Sequence, residues 1–296
     1  MTLYVRCVVL FAIAAVVTLP FCVQAGELVA KGAESRTAAD ALKIEVEGEL
    51  MSDYIYRGIS LSGRRPTAAS SIDIEWRGFY VATAVQSVQL PTNPASEITL
   101  SGGYRREFGD YKFDLGVNYF YYPGEIPTDT TTKTNYWEAS LDVTREIKPL
   151  TFEGLVAYSP NVSATGAWGA YAFGNVTVEL PPIGLPPEWS WQFDVGAGYW
   201  RFGKTTPAQG GFALPAYANW RASFIFSYKE KLNLELGYYD TNLSREDCFV
   251  LTGDTMATPG GAMDPITNPD GLRSQLCSAT LLGRLSFKFE PLESLK

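Results

Sequence analysis

The chain has 296 residues, contains no histidine and carries a formal net charge of -8. The absence of histidine excludes Ser-His-Asp hydrolases and most zinc or nickel sites, because both depend on an imidazole. The acidic balance, with no basic patch, argues against binding to nucleic acid.

The first 25 residues predict a secretory signal peptide. Arg6 precedes an apolar run from Val8 to Leu19, and a cleavage site follows Val23-Gln24-Ala25. The run is too short for a membrane helix, and no later stretch approaches the ~20 apolar residues that such a helix needs. Residues 26–42 are small, polar and unpatterned, and we expect them to form a periplasmic N-terminal segment.

Twelve segments of the remaining chain alternate apolar and polar side chains. Because successive side chains of a strand point to opposite faces, each segment has one apolar and one polar face. The phase is least certain in strands three and eight. The predicted strands are Lys43 to Tyr56, Thr67 to Trp76, one starting at Phe79, one centred on Ile98 to Tyr104, Lys112 to Tyr121, Trp137 to Val143, Thr151 to Tyr158, Ala170 to Leu180, Trp189 to Tyr199, Trp220 to Phe226, Leu232 to Tyr238, and Leu281 to Phe289.

The connections between these strands alternate in length. Short turns such as Arg77-Gly78 and residues 229–231 alternate with longer segments such as residues 57–66, 122–134 and 242–278. Short periplasmic turns, long outer loops and aromatic residues near strand ends are typical of outer-membrane barrels. We therefore predict an all-β, up-and-down antiparallel transmembrane barrel of about 12 strands over residues 43–289, with a C-terminal tail at 290–296. A soluble, secreted all-β protein with its apolar face inside is the alternative.

The polar phase carries more acidic than basic residues, twelve against six in our assignment. An acidic lumen favours cations by direct electrostatics. The alternative is that the charges pair across the lumen and plug it, because twelve strands lie between the filled eight-strand and the open sixteen-strand barrels. We expect Asp53, on the inward phase, and Arg57, at the top of the same strand, to join a lumen or rim ion-pair network; a reactive pair or a contact with a ligand is the alternative. The candidate lumen-lining residues are Glu47, Glu49, Asp53, Arg57, Asp73, Glu75, Arg105, Lys112, Asp114, Glu138, Asp142, Asp194, Arg221, Glu235, Arg284 and Lys288.

Two of the four cysteines belong to the predicted signal peptide, which leaves Cys248 and Cys277. An even pair in an oxidising compartment favours one disulfide, and two free thiols are the alternative. The intervening residues are rich in glycine and proline and should form an outer loop. A disulfide there would limit its conformations and could fold it over the barrel mouth.

The segment Ser52-Asp53-Tyr54-Ile55-Tyr56-Arg57-Gly58-Ile59-Ser60 resembles the opening of the TorF-family porins, whose first strand carries a similar S-D-Y-x-x-R-G-x-S. Softer landmarks are Pro66, Gly78-Phe79-Tyr80, Tyr122-Pro123-Gly124 and Tyr158-Ser159-Pro160. The resemblance covers about residues 52–239 and implies an outer-membrane β-barrel with a transport function. The chain departs from the pattern at its end, because Glu290 to Lys296 follow Phe289, where such barrels usually finish on the aromatic that serves as an assembly signal.

We expect a passive bacterial outer-membrane channel for small hydrophilic solutes that favours cations mildly and uses no cofactor, metal or catalytic residue. Its expected partners are outer-membrane lipid, these solutes and the barrel-assembly machinery. A closed structural or surface-interaction barrel is the alternative. A lipid-modifying enzyme has less support, because it would need a mechanism without histidine.

Overall fold

The computed structural model describes residues 42–126, 134–182 and 184–291. The predicted signal peptide, nearly all of the predicted periplasmic segment and the last residues of the predicted tail lie outside this range. The described strands are β1 (Lys43–Met51), β2 (Ile55–Tyr56), β3 (Ile59–Ser60), β4 (Thr67–Trp76), β5 (Phe79–Gln86), β6 (Glu97–Phe108), β7 (Tyr111–Tyr121), β8 (Tyr136–Ile147), β9 (Leu150–Ser159), β10 (Gly169–Glu179), β11 (Trp189–Phe202), β12 (Tyr217–Tyr228), β13 (Leu232–Thr241) and β14 (Thr280–Phe289).

Twelve of these strands close into one antiparallel barrel, as the sequence predicts. Each pairs with its neighbours in the chain, β1 pairs with both β14 and β4, and β2 pairs only with β3. An α-helix, α1 (Arg245–Thr252), lies in the connection between β13 and β14. Among the described residues, no helix is both long and apolar enough to cross a membrane.

The pairing of β13 with β14 shows how the alternating sequence determines the two faces. Leu234 lies opposite Leu285, and both side chains are exposed on the outside of the barrel. One residue along, Glu235 lies opposite Arg284, and these side chains form an ion pair on the inside. A shift of one residue would place both charges on the apolar face, so the pattern specifies the register.

The buried apolar residues gather at one end of the barrel, next to the long connections. The main cluster joins residues from strand ends, such as Phe120, Tyr136 and Trp200, to residues of the long connections, such as Val162 and Leu214. Tyr217 and Ala167 in this cluster have no exposed surface. This end of the barrel is therefore packed like the core of a globular protein.

The prediction for strand one is wrong at its C-terminal end. The alternation of Tyr54 and Tyr56 continued the outward phase of the strand, but β1 ends at Met51 and the chain then turns inward. Ser52 closes the strand, because its backbone N–H donates to the Gly283 carbonyl while its Oγ accepts from the Gly283 N–H. Residues 57–66 were also expected to form an outer loop, and that expectation is wrong for the same reason.

Candidate functional site

Residues 52–66 fold into the barrel lumen, and we call this segment the lumen hairpin. Its strands β2 and β3 are joined by the two-residue turn Arg57-Gly58, with φ values of 50° and 84°. Two successive positive φ values are the signature of a type I′ turn, which matches the twist of a tight hairpin. The hairpin is rooted at β1 and β4, and its tip reaches inward-facing side chains of the opposite wall.

A buried carboxylate holds the base of the lumen hairpin together. Asp53 is almost fully buried, and its Oδ1 accepts hydrogen bonds from Ser60 Oγ at 2.6 Å and from Ser62 Oγ at 2.8 Å. The Leu61 N–H donates to the Tyr54 carbonyl at 2.8 Å across the same base. The carboxylate therefore fixes the point at which the chain leaves the wall. Asp53 and Arg57 therefore serve the hairpin separately: Arg57 forms an ion pair in the lumen, as expected, whereas Asp53 accepts hydrogen bonds from serines and joins no ion pair among the described residues.

The tip of the hairpin carries a buried ion pair. Arg57 Nη1 donates to Glu138 Oε1 at 2.9 Å, and Arg57 Nη2 donates to Glu138 Oε2 at 2.6 Å. The two side chains are only 8% and 3% exposed, respectively. A bidentate guanidinium–carboxylate contact is among the strongest and most directional polar contacts in proteins. This contact fastens the tip to β8, on the far side of the lumen from the hairpin root.

Three aromatic rings enclose the Arg57 guanidinium. Its central carbon lies 4.2 Å from the ring centroid of Tyr171, 4.3 Å from that of Trp200 and 4.8 Å from that of Tyr56. Cations are attracted to the faces of aromatic rings, and more strongly when water is excluded. The cage supports the charge where few water molecules can reach it. We call Arg57, Glu138 and the three rings the latch.

The turn residue Gly58 fits against the wall formed by β12 and β13 with no room for a side chain. A Cβ atom added there would lie 2.5 Å from Thr241 Cγ2 and 2.8 Å from Asn219 Cβ. The positive φ also disfavours any residue with a side chain. In addition, Tyr217 Oη donates to the Arg57 carbonyl at 3.0 Å. The turn therefore docks by close backbone approach as well as by charge.

A second buried carboxylate anchors the side of the hairpin. Tyr54 Oη donates to Glu97 Oε1 at 3.0 Å, and Tyr122 Oη donates to Glu97 Oε2 at 2.7 Å. Gln86 also donates to both Tyr54 Oη and Glu97. Glu97 is 1% exposed. The protein donors replace the hydrogen bonds to water that the carboxylate loses on burial. Sequence reasoning did not propose Glu97 as a site residue.

The long connection between β13 and β14 holds the outer side of the hairpin. The Ser60 N–H donates to the Leu276 carbonyl at 2.9 Å, and Arg64 Nη2 donates to the Ser278 carbonyl at 2.6 Å. Both acceptors flank Cys277, which forms the predicted disulfide with Cys248 at the centre of α1. The disulfide thus links α1 to the short segment that contacts the hairpin.

The lumen hairpin lies between two cavities. The cavity on the side of the long connections has a volume of about 630 Å³, and we call it the outer pocket. The cavity on the lumen side has a volume of about 490 Å³, and we call it the inner cavity. Tyr56 contributes to the walls of both. The hairpin therefore forms the partition between them.

Polar and charged side chains line much of the inner cavity. They include Glu138, Glu153 and Arg221 from the wall and Arg57 from the hairpin. Arg221 Nε lies 3.0 Å from Asp194 Oδ1, so one basic residue of this region is paired. The cavity thus has polar and charged walls below the partition.

Further charges form a network nearer the short turns. Arg105 contacts three carboxylates: Asp73 at 2.8 Å, Asp114 at 3.0 Å and Glu75 at 3.2 Å. Other ion pairs among the described inward-facing residues include Lys288 with Glu45 at 2.9 Å, Lys112 with Glu146 at 2.7 Å, Lys43 with Glu75 at 3.2 Å, and Arg284 with Glu235 at 3.5 Å.

The inward-phase carboxylates without a basic partner within salt-bridge distance among the described residues include Glu47, Glu49, Asp53, Glu97, Asp142 and Glu153. Asp142 and Glu153 lie close enough to each other to share a hydrogen bond. The pairing of other charges therefore leaves an acidic excess in the lumen. Among the described residues, no cluster of side chains has the composition of a metal site.

A sequence model described as a bacterial protein of unknown function, Gcw_chp, matches residues 35–258, which is more than half of the chain. The chain belongs to the Gcw_chp family. The match includes the whole lumen hairpin. The narrower resemblance to the TorF-family porins stays a prediction.

No curated protein matches this Gcw_chp chain. Solved structures with a similar arrangement include the KdgM porin, at 8% identity and a TM-score of 0.44 over 83% of this chain and 98% of that one. LpxR from Salmonella typhimurium matches at 8% identity and a TM-score of 0.39 over 82% of this chain and 99% of that one. The COG4313 outer membrane channel from Pseudomonas putida F1 matches at 8% identity and a TM-score of 0.38 over 89% of this chain and 100% of that one. Similarity at this level carries no information about the solute.

The residues of this Gcw_chp barrel that sequence reasoning missed are the partners of the hairpin. Tyr171 lay in a predicted strand and Trp200 directly after one, as an interface aromatic, but neither was expected to contact the hairpin, and Glu97 and Tyr122 were not linked to the motif. The available signal was local: the Arg-Gly dipeptide is turn-forming, and Asp53 is followed by two serines at the spacing of a hairpin. The contacts across the lumen had no signal in a single sequence.

Proposed function

We propose that this protein is an outer-membrane, porin-like channel for small hydrophilic solutes that favours cations mildly. In this proposal the lumen hairpin closes or narrows the passage, and the latch sets how often it opens. The channel uses no chemistry. The barrel supplies the pore wall, and the hairpin supplies the gate.

The outer surface of the barrel supports a membrane location. Large apolar side chains on the outward phase are strongly exposed, for example Leu281 at 80%, Phe79 at 65% and Leu115 at 62%. Apolar surface on this scale is rare on soluble monomers and is normal where lipid tails contact a barrel. A closed barrel also satisfies the backbone hydrogen bonds without water, which hydrocarbon requires. The soluble alternative is thereby disfavoured, since its apolar phase would have to face inward.

The observation that carries the channel proposal is the charged inner cavity beneath the hairpin. A barrel that served only as a scaffold would be expected to fill this space with packed side chains. Instead, the inner cavity contains Glu138, Glu153 and Arg221 on its wall, and the carboxylates without basic partners give the lumen an acidic excess. Acidic rings attract cations and repel anions over short distances.

Single-channel recording in planar bilayers tests the proposal. The mature chain would be refolded, checked for heat-modifiable migration, and recorded under a KCl gradient. We expect discrete steps with a reversal potential that favours K⁺ over Cl⁻. A preference for Cl⁻ would contradict the assigned selectivity.

A closed structural barrel is the second candidate, and the hairpin itself favours it. The tip is held by charge, by an aromatic cage and by the close fit of Gly58. The two candidates separate on variants that weaken the latch. If neither the wild type nor a well-folded latch variant conducts, the closed barrel is the correct interpretation.

A further inference from the structure

The outer pocket differs in charge from the rest of the molecule. The whole chain carries a net charge of -8, but the charged residues that line this pocket are three arginines and one aspartate. Asp254 is already engaged, because its carboxylate accepts hydrogen bonds from Ser274 Oγ at 2.7 Å and from the Met256 N–H at 2.8 Å. An acidic protein therefore presents a locally basic pocket on the side of its long connections.

None of the three arginines forms an ion pair with a described residue, and Arg273 is the half-buried one that also has no side-chain hydrogen bond. The Arg273 side chain is half-buried in the pocket wall, and it forms no ion pair or side-chain hydrogen bond with any described residue. Burial of a guanidinium is costly unless its donors find acceptors. Arg64 differs, because it already donates to backbone carbonyls of the connection that follows α1. Arg65 is exposed and lies at the pocket edge.

The remaining wall of the outer pocket is largely apolar and aromatic. Phe202 lines it from the end of β11, Phe212 and Leu214 line it from the connection that follows, and Leu61 and Tyr56 line it from the hairpin. A volume of about 630 Å³ lies within the range of known small-molecule sites, roughly 300–1,000 Å³. Apolar walls with a few convergent polar groups are the usual composition of such sites.

We propose that the outer pocket binds a small amphipathic organic anion. The apolar body of the ligand would pack against the aromatic wall, and its carboxylate would pair with Arg273 and Arg65. The site does not depend on conduction, and it lies on the opposite side of the hairpin from the acidic lumen. A ligand of this class is therefore bound at the mouth rather than drawn through the barrel.

Isothermal titration of the refolded full barrel in lipid nanodiscs tests this proposal, with protein-free nanodiscs as the blank. The probe is 2-naphthoate, and the matched comparison is 2-naphthamide, which keeps the ring and removes the charge. We expect saturable binding of 2-naphthoate and at least tenfold weaker binding of the amide, because a hydrogen bond to a charged group contributes about that much. Equal affinity for the two compounds, or no saturable binding to heat-modifiable protein, would overturn the proposal.

Variants assign the site. Arg273→Gln should weaken 2-naphthoate binding by about tenfold, because the only half-buried guanidinium without a partner in the described pocket wall is lost. Arg65→Gln is a second variant at an exposed position, where folding is not at risk, and should weaken binding in the same direction. Arg106→Gln, on the outer face of β6 far from the pocket, is the matched control and should change nothing. Unchanged affinity in both pocket variants would place the anion elsewhere and overturn the assignment.

Discussion

The latch makes a quantitative prediction for Glu138→Gln. This substitution keeps the shape of the side chain but removes the charge opposite Arg57, whose side chain is 8% exposed. Removal of one partner from a buried ion pair typically costs about 3–5 kcal/mol, because the other charge stays buried and uncompensated. At about 1.4 kcal/mol per factor of ten, the equilibrium constant between the closed and the open hairpin should shift toward the open state by roughly a hundredfold to a few thousandfold.

Two assays report this shift. In planar bilayers, the variant should spend far more time in the conducting state than the wild type. Trypsin added to the side of the long connections should also cleave after Arg57, which the wild type protects, and mass spectrometry identifies the new end at Gly58. When opening and closing are fast relative to cleavage, the cleavage rate follows the population of the open form, so the ratio of rates measures the equilibrium change.

The control is Glu146→Gln, which removes the partner of Lys112. That pair has a similar distance of 2.7 Å, but its side chains are 54% and 47% exposed. Ion pairs between exposed side chains contribute little to stability, because water and salt screen the charges, so cleavage and conductance should stay near the wild-type values. If Glu138→Gln folds and behaves like this control in both assays, the ion pair does not hold the hairpin, and the gating part of the proposal is wrong.

Three further substitutions give independent predictions. Gly58→Ala should open the hairpin, because the new Cβ would meet Thr241 Cγ2 at 2.5 Å and φ is positive; trypsin cleavage after Arg57 should rise in this variant. Cys248→Ser should raise the rate of proteolysis in the connection between β13 and β14, and it should lower the free energy of unfolding by about 2–4 kcal/mol in a urea titration. The double variant Asp142→Asn with Glu153→Gln should lower the permeability ratio of K⁺ to Cl⁻, because it removes two lumen carboxylates that lack a basic partner among the described residues.

The Gly58 and Cys248 substitutions have matched comparisons, and the double variant has a result that would contradict it. Gly283→Ala adds a methyl group where nothing lies within 4 Å, so its conductance and cleavage should match the wild type. Reduction of the wild type should reproduce the Cys248→Ser proteolysis pattern, and a reductant should not affect the variant further. For selectivity, an unchanged reversal potential in the double variant would show that these carboxylates do not lie along the ion path.

The architecture of the barrel was predictable because it depends on a local, repeated property. In β13 and β14, outward apolar residues such as Leu234, Leu285 and Phe287 are each followed by a polar residue on the inside, and the period of two fixes both faces. The pattern failed where the chain kept the period but changed direction. Tyr54 and Tyr56 continue the phase of β1, and alternation alone does not distinguish a strand that continues from one that turns inward.

The contacts of the latch could not be predicted from a single sequence, for a different reason. Arg57 and Glu138 are 81 positions apart, and either residue alone resembles an ordinary lumen charge. Sequence reasoning assigned both to the lumen but could not pair them. The disulfide was within reach, because only two cysteines follow the predicted signal peptide.

The chemistry of the hairpin tip favours two discrete conductance states over a continuum. An apolar plug would be held by buried area and would loosen gradually, since each contact contributes a small, independent amount. A buried bidentate ion pair behaves differently. A partly broken pair leaves both charges in a dry site, so its free energy is higher than that of either the closed or the open state. The aromatic cage sharpens this effect, as it stabilises the Arg57 guanidinium only in the docked position. The hairpin should therefore leave the wall as a unit, and intermediate current levels should be absent from recordings of the wild type.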